Sequence, residues 1–244
     1  MALSDSDIAH LESASTASAG GAITTTGITS GVPNNVWPDV TDAERVAGVV
    51  RLRKTFWKNN NGSDSMLKPV LYYPVAPTNA AFALGLGVNS SDDTDAAQGN
   101  MSAWGAAAKV ALISDTAGDT RVCTIYGLDN TGTPVPVTET VTLNGTTEVL
   151  STNTYTKVWA VWPASIDAGK IVTVKQGTGG TTRGTIGHSK KICWLWVAAA
   201  SKGAGISLPD LEALQNYGLW RRLTVSSGVG SVRPDSLVVR IEES

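Results

Sequence analysis

The residues of this chain that most often bind metals or transfer protons do not form a motif. His10 and His188 lie far apart in polar stretches, and the two cysteines stand alone at positions 123 and 193. A zinc site draws its ligands from close pairs such as C-x-x-C, and neither C-x-x-C nor H-x-x-x-H occurs in the sequence. We therefore expect no metal ion and no cofactor, and we interpret His188 as a solvated loop residue.

One acidic loop has the residue types that bind calcium. The stretch NSSDDTD, residues 89–95, contains Asp92, Asp93 and Asp95, and Ca²⁺ prefers hard oxygen ligands of this kind. The spacing differs from that of the twelve-residue EF-hand loop, whose glycine and final glutamate are missing here. We interpret this stretch as a solvated acidic loop.

Motifs for nucleophilic catalysis and phosphate binding are also missing from the sequence. No G-x-S-x-G elbow occurs. The Gly-rich stretch GTGGTTRG, residues 177–184, lacks the Lys-Ser/Thr ending and the following helix of a phosphate site, so we expect a flexible loop. The paired carboxylates of a glycosidase come from distant parts of a chain. That class stays open as an alternative to the main expectation, which is a protein that is not an enzyme.

Eight tryptophans carry much of the binding potential of the chain. Trp37 and Trp104 lie in loop-like stretches, where aromatic side chains often serve interfaces because they bury much area at low entropy cost. The alternative is that each packs beneath its own loop. We expect Trp57 in the core. The other tryptophans of strand-like stretches are expected in the core or on a sheet face: Trp159, Trp194, Trp196 and Trp220.

The composition predicts strands as the elements that position these residues. Hydrophobic residues make up 42% of the 244 residues and charged residues only 16%, with 25 glycines. Long exposed helices would need more Glu, Lys and Arg. The net charge of −2 gives nucleic-acid binding no support. The longest apolar run, ICWLWVAAA, has about half of the roughly 18 residues that a membrane span needs.

The cellular setting is predicted from the first residues and from the cysteines. The start, MALSDSDIAHLESASTASAGG, lacks the basic and apolar regions of a signal peptide. Cys123 and Cys193 lie in the apolar runs RVCTIYGL and KKICWLWV, so we expect buried free thiols. We expect a protein that is made in a cytoplasm.

Residues 1–36 are expected to form an extended N-terminal arm, because they contain few large hydrophobic residues. Within them SDSDIAHLES has the pattern of one short helix, capped by Ser4 or Asp5 and with Ile8 and Leu11 on one face. The rest of the arm has two open interpretations. It is either a mobile tail or a segment that orders against a neighbouring subunit.

The residues after the arm predict one short helix and about ten strands. Thr41 is an N-cap with Glu44 in the capping-box position, and the helix is expected to end near Gly48. Asn144-Gly145 is a strong hairpin signal between alternating apolar residues. ISLPDLEALQNYG predicts a helical turn that begins at Pro209. Strands at a spacing of roughly 8 to 12 residues are typical of a β-sandwich.

Two stretches resemble a group of virion structural proteins of tailed bacteriophages. The first is NNVWPDVTDAERVAGVVRLRKTFWKNNN, residues 34–61, where a loop leads into a strand. The second is ISLPDLEALQNYGLWRRLTVSSGVGSVRPDSLVVRIEES, residues 206–244, which resembles a closing pair of strands. The middle stretch ETVTLNGTTEVLSTNTYTKVWAV also resembles strands of phage virion domains. The match covers about half of the chain and its motifs are structural.

The resemblance implies an all-β fold in which the N- and C-terminal strands form one sandwich and a second β domain is inserted. Residues 37–114 and 181–244 would form the first domain, and residues 115–180 the inserted one. The implied function is that of a tail, neck or baseplate protein of the virion, assembled in the host cytoplasm. It would form a homo-oligomeric ring or lattice with other virion proteins, without nucleic acid or membrane.

The interface residues follow from this implied function. The arm and the loop of Trp37 and Asp39 would reach neighbouring subunits, and Trp104 is a weaker candidate. Arg51, Arg53 and Lys58 would pair with acidic surfaces. Two alternatives stay open: a capsid decoration or head fibre protein, and a carbohydrate-binding or receptor-binding module with several tryptophans on one exposed face.

Overall fold

The computed structural model describes residues 3–14, 20–32, 35–75, 81–87, 100–132, 136–188, 192–228 and 238–243. Their regular secondary structure consists mainly of antiparallel strands, so the predicted all-β class is confirmed. The one α-helix of the described residues, α1, spans Asp42–Ala47, and short 3₁₀ turns span Asp5–Asp7 and Lys202–Ala204. The strands are β1 Ile8–Ser13, β2 Ile23–Gly27, β3 Val49–Asn59, β4 Pro69–Val75, β5 Ala81–Leu86, β6 Ala108–Ser114, β7 Val122–Asp129, β8 Pro136–Thr142, β9 Val149–Pro163, β10 Ile171–Gln176, β11 Thr181–Gly187, β12 Cys193–Trp194, β13 Ile206–Ser207, β14 Asn216–Val225 and β15 Val238–Glu243.

The chain divides into two compact units. The first combines Met1–Asp92 with Trp196–Ser244, and the second is the intervening Asp93–Leu195. The intervening unit is longer at both ends than the predicted insertion of residues 115–180. The reason lies in strand pairing, since β6 and β11 both belong to the sheet of that unit.

The first unit contains two sheets. The larger has the order β2-β1-β3-β14-β5, and the smaller has the order β13-β4-β15. Ten residues of β3 pair with ten of β14, so the two ends of the chain meet at the centre of the larger sheet. Tyr73 of the smaller sheet lies near enough to Arg221 of β14 to interact with its charge. Buried apolar side chains come from both sheets: Phe56, Leu71, Tyr73, Leu84, Ile206, Leu219 and Trp220.

The N-terminal segment is part of this unit and differs from the predicted arm. After the turn at Asp5–Asp7, residues 8–13 form β1 instead of the predicted short helix. β1 pairs with β3 from Ile8↔Asn59 to Glu12↔Thr55, and β2 pairs with β1. The segment is extended, but its strands complete the sheet of its own chain. β1 has few large apolar side chains, but it also makes a polar contact with the sheet, because His10 accepts a hydrogen bond from Arg221 of β14.

The second unit has a seven-stranded sheet in the order β11-β10-β6-β9-β7-β8, with β12 also paired to β9. The 15-residue β9 organises it, because its first half pairs with β6 and its second half with β7 and β12. Cys123 and Cys193 are buried and free, as predicted, and burial raises the pKa of each thiol to about 12. The core includes Val110, Leu112, Ile125, Tyr155, Val158, Val161, Val172, Val174 and Ile186.

Two turn predictions for this unit are wrong. Gly145 has the expected turn conformation, with φ +57°, but β8 and β9 on either side both pair with β7 instead of with each other. The turn instead docks on residues 114–119, where Gly145 N donates to Asp119 O at 2.8 Å. The predicted flexible loop GTGGTTRG is the tight connection and first residues of the β10–β11 hairpin, with Gly177 and Gly179 at positive φ.

Three further predictions have mixed outcomes. No helix follows Pro209 in the described residues: Leu211 bridges Met66, and a single turn at Glu212–Gln215 precedes β14. Trp57 is only half-buried, whereas we expected it in the core. The tryptophans of the other predicted strands are fully buried at positions 159, 194 and 220, while Trp196 is half-buried beneath the guanidinium group of Arg222.

Candidate assembly surface

The segment that the sequence singles out, residues 35–48, is folded against the start of β3, and we call it the anchored loop. Its helix α1 begins with the predicted capping box. The Thr41 hydroxyl accepts from the Glu44 amide at 3.3 Å, and the Glu44 carboxylate accepts from the Thr41 amide at 2.8 Å. Gly48 ends the helix at φ +80°, where its amide donates to the Glu44 carbonyl at 2.7 Å. The local sequence therefore supplies a cap at each end of this helix.

Arg51 of β3 fixes the anchored loop in place. Its guanidinium donates to both Glu44 carboxylate oxygens, at 3.2 and 2.6 Å, and to the carbonyls of Pro38 and of Asp39, the latter at 3.0 Å. A planar guanidinium suits this arrangement because its donors lie in a rigid fork. Arg51, followed by the Thr41 cap, lowers the pKa of Glu44 to about 2. The clamp is therefore charged at any pH near neutrality.

Apolar side chains lie exposed beside the anchored loop. Val46 of α1 is 73% exposed and Val50 of β3 is 56% exposed. Trp37 is half-buried, and Asp39 is exposed. Glu44 faces Arg51, so Val46, two residues further along the helix, points away from the clamp. The result is a loop tied to β3 by Arg51, with two solvent-facing valines at the start of that strand.

The structure places the other predicted interface residues differently. Arg53 is half-buried in β3, and burial lowers its pKa, while the charge of Glu12 opposes that shift. Lys58 is half-buried near the opposite end of β3. Trp104 belongs to the other unit, packs on its core, and donates from Nε1 to the Tyr155 carbonyl at 3.1 Å. Five of the six candidates thus belong to the first unit, and only Trp37, Asp39 and Arg51 belong to the anchored loop or its clamp.

Sequence analysis missed a buried arginine of the first unit. Arg221 is 2% exposed, and its guanidinium lies 2.5 Å from Nε2 of His10. The His10 ring stacks on Trp57, with centroids 4.5 Å apart and planes at 7°. Burial, and secondarily the charge of Arg221, lower the pKa of His10 well below its usual value. The ring is therefore neutral and accepts the bond. Nothing in the local pattern of GLWRRLTV marks one arginine as buried.

The described part of the chain contains no cluster of three or more His, Cys, Asp or Glu side chains that could hold a metal ion. No helix in that part is both long and apolar enough to span a bilayer. The candidate calcium loop with Asp92, Asp93 and Asp95 lies outside the described residues.

Comparison of the chain with known protein families, with curated proteins and with solved structures finds no match. The resemblance to phage virion proteins therefore stands on the sequence stretches given above. The anchored loop and the first residues of β3 lie within the first of those stretches.

Proposed function

We propose that the chain is a structural protein of a tailed-bacteriophage virion, in the tail, neck or baseplate, and that the anchored loop joins it to a neighbouring subunit of a homo-oligomer. A decoration or head fibre protein on the capsid is the alternative position. The observation that carries the proposal is the Arg51 clamp, which holds an otherwise irregular loop in one conformation next to two exposed valines.

The clamp supports a binding role because ordering a loop before association lowers the entropic cost of binding. Exposed valines supply the hydrophobic contribution, since fully burying such a side chain is worth about 1.5–3 kcal/mol. The side chains of Asp42 and Arg45 form an ion pair within α1, and Glu44 is held by Arg51. The helix thus brings few uncompensated charges to a contact, and this lowers the desolvation cost.

The first test measures association of the purified chain by analytical ultracentrifugation over a concentration series. Val46→Asp places a charge in the proposed contact and is expected to weaken association about tenfold or more, the loss expected from burying an unpaired carboxylate. Trp37→Ala is expected to weaken it as well. Leu150→Asp is the matched control, because Leu150 is 43% exposed in the other unit.

Arg51→Gln tests the clamp itself. The variant is expected to fold but to be cut faster by a protease within residues 35–48 and to associate more weakly. Circular dichroism and thermal melting verify that each variant remains folded. Equal association of Val46→Asp and wild type would rule out this surface as the contact. Mass spectrometry of purified phage particles tests the virion assignment, and absence of the chain from such particles would rule that assignment out.

A further inference from the structure

A bulge in β2 forms one wall of a cavity in the first unit. β1 and β2 pair at Ser13↔Ile23 and at Leu11↔Gly27, so the single residue Glu12 lies opposite three consecutive threonines. The Thr24 hydroxyl donates to the Glu12 carbonyl at 2.9 Å and accepts from the Thr26 amide at 3.2 Å. The hydroxyl thus replaces ladder bonds that the bulge removes. Bulges of this kind re-aim side chains and are frequent beside functional sites.

The cavity beside the bulge is open to solvent and has a volume of about 520 Å³. That size lies in the range of small-ligand sites, roughly 300–1,000 Å³. Leu11 and Lys58 are near neighbours on paired strands, since Leu11 is opposite Phe56 and Lys58 follows two residues later. The lining consists of Leu11, Ile23, Thr24, Thr25, Lys58 and Asn60.

Lys58 is the only charged side chain among these lining residues. It is half-buried, yet no side chain or carbonyl within the described residues accepts a hydrogen bond from its ammonium group or forms an ion pair with it. Thr25 and Asn60 are exposed at the edge of the cavity, where their side chains could exchange water for a ligand. An anion bound in the cavity would be attracted by the positive charge of Lys58.

We propose that this cavity binds an acidic sugar of the hexuronate type. The carboxylate of the sugar would accept from Lys58, and its ring hydroxyls would bond Thr25 and Asn60. Its apolar C–H face would pack on Leu11 and Ile23. The aliphatic side chains of Leu11 and Ile23 and the neutral polar side chains of Thr25 and Asn60 favour a hydroxylated ring over a simple anion. The site lies at the other end of β3 from the anchored loop, and it does not depend on the proposed role in assembly.

The test compares three probes by isothermal titration and by methyl NMR of the wild-type chain. D-glucuronate carries ring and carboxylate, D-glucose carries the ring alone, and acetate carries the carboxylate alone. Saturable binding is expected for glucuronate, with at least tenfold weaker binding of glucose and acetate and with shifts of the Leu11, Ile23 and Thr25 methyl signals. Equal binding of acetate and glucuronate would overturn the assignment to a sugar, and so would the absence of saturable glucuronate binding.

Variants then locate the site. Lys58→Met keeps the side-chain length without the charge and is expected to weaken glucuronate binding about tenfold or more, as for loss of one charge-assisted hydrogen bond. Thr25→Val is isosteric and is expected to weaken it by a smaller factor. Lys109→Met is the control, because Lys109 is exposed in the other unit. Unchanged binding in Lys58→Met overturns the proposal. If that variant does not fold, the methyl shifts and Thr25→Val decide.

Discussion

Replacing His10 by glutamine tests how a buried polar contact joins the N-terminal strand to the sheet. In the native chain the neutral His10 ring accepts from Arg221 at 2.5 Å and stacks on Trp57. Protonation would put a second positive charge beside the guanidinium. Burial disfavours the charged ring, and the nearby charge of Arg221 repels it, so both lower the pKa of His10.

The lowered pKa makes stability depend on pH with a definite sign. An unfolded histidine titrates near pH 6.5, so below that pH the unfolded chain binds a proton that the native chain does not. The free energy of unfolding is therefore highest above pH 6.5 and falls as the pH falls. If the His10 ring stays neutral in the native chain, the loss between pH 7.5 and pH 5.5 is about 1.4 kcal/mol.

Other charged groups near His10 do not produce this slope. Tyr73 of the smaller sheet faces Arg221, and burial raises the pKa of its hydroxyl, so it stays neutral throughout this range. Burial lowers the pKa of Arg221 below its ordinary value, and Arg221 is present in both wild type and variant. Carboxylates elsewhere titrate alike in wild type and variant, so they cancel in the comparison.

The assay is urea unfolding at pH 7.5 and pH 5.5, followed by tryptophan fluorescence. The stability difference between wild type and His10→Gln is expected to change by about 1.4 kcal/mol between the two pH values. His188→Gln, at the exposed histidine of the other unit, is the control for replacing a histidine by glutamine. If His10→Gln kept the full wild-type pH dependence, the neutral, buried state of His10 would be refuted.

Three further outcomes are expected from the second unit. Gly184→Ala should destabilise it by about 1–3 kcal/mol, because an added Cβ would lie 2.2 Å from Cys193 Sγ. Gly203→Ala, whose added Cβ would have no atom within 4 Å, is the control for the effect of alanine on the backbone. Equal melting temperatures of the two variants would contradict the predicted clash with Cys193. Tyr155→Phe should cost about 1 kcal/mol in denaturant unfolding, since its hydroxyl donates to Glu139 at 3.0 Å, and an unchanged midpoint would contradict this. Both thiols should react with a disulfide reagent only after unfolding, and rapid native labelling would show them to be accessible.

Features set by neighbouring residues could be predicted from the sequence. The capping box of Thr41 and Glu44, the end of α1 at Gly48 and the burial of both cysteines depend on residues close in the chain. Each follows from a local rule on caps or from an apolar run. Such rules need no knowledge of which strand lies alongside.

Features set by distant partners could not be predicted in the same way. Asn144-Gly145 turns the chain as expected, but β7 lies between the two strands that flank it. β1 contains His10 and Glu12, and these polar residues give its sequence the pattern of an exposed segment. In the fold, His10 instead pairs with Arg221, which lies more than 200 residues away in the chain. Tertiary contacts of this kind override local propensity.

The candidate site shows the same division between local and distant information. Trp37, Asp39 and Arg51 were selected for residue type and position, and the structure does place them in or at the anchored loop. The task of Arg51 could not be foreseen, because an arginine in a strand is as suited to an external acidic surface as to Glu44. The exposure of Val46 and Val50 also depends on how α1 packs, which the sequence pattern leaves undetermined.

The two proposed binding regions should act independently, because β3 separates them. The anchored loop adjoins Val49 at the start of that strand, and the cavity contains Lys58 near its end. Nine residues at about 3.3 Å each put these positions roughly 30 Å apart, and the two uses share no side chain. Glucuronate affinity should therefore be the same for Val46→Asp and for wild type. A changed affinity would show that the two regions are coupled through the sheet, and Arg51→Gln would then be the variant that locates the coupling.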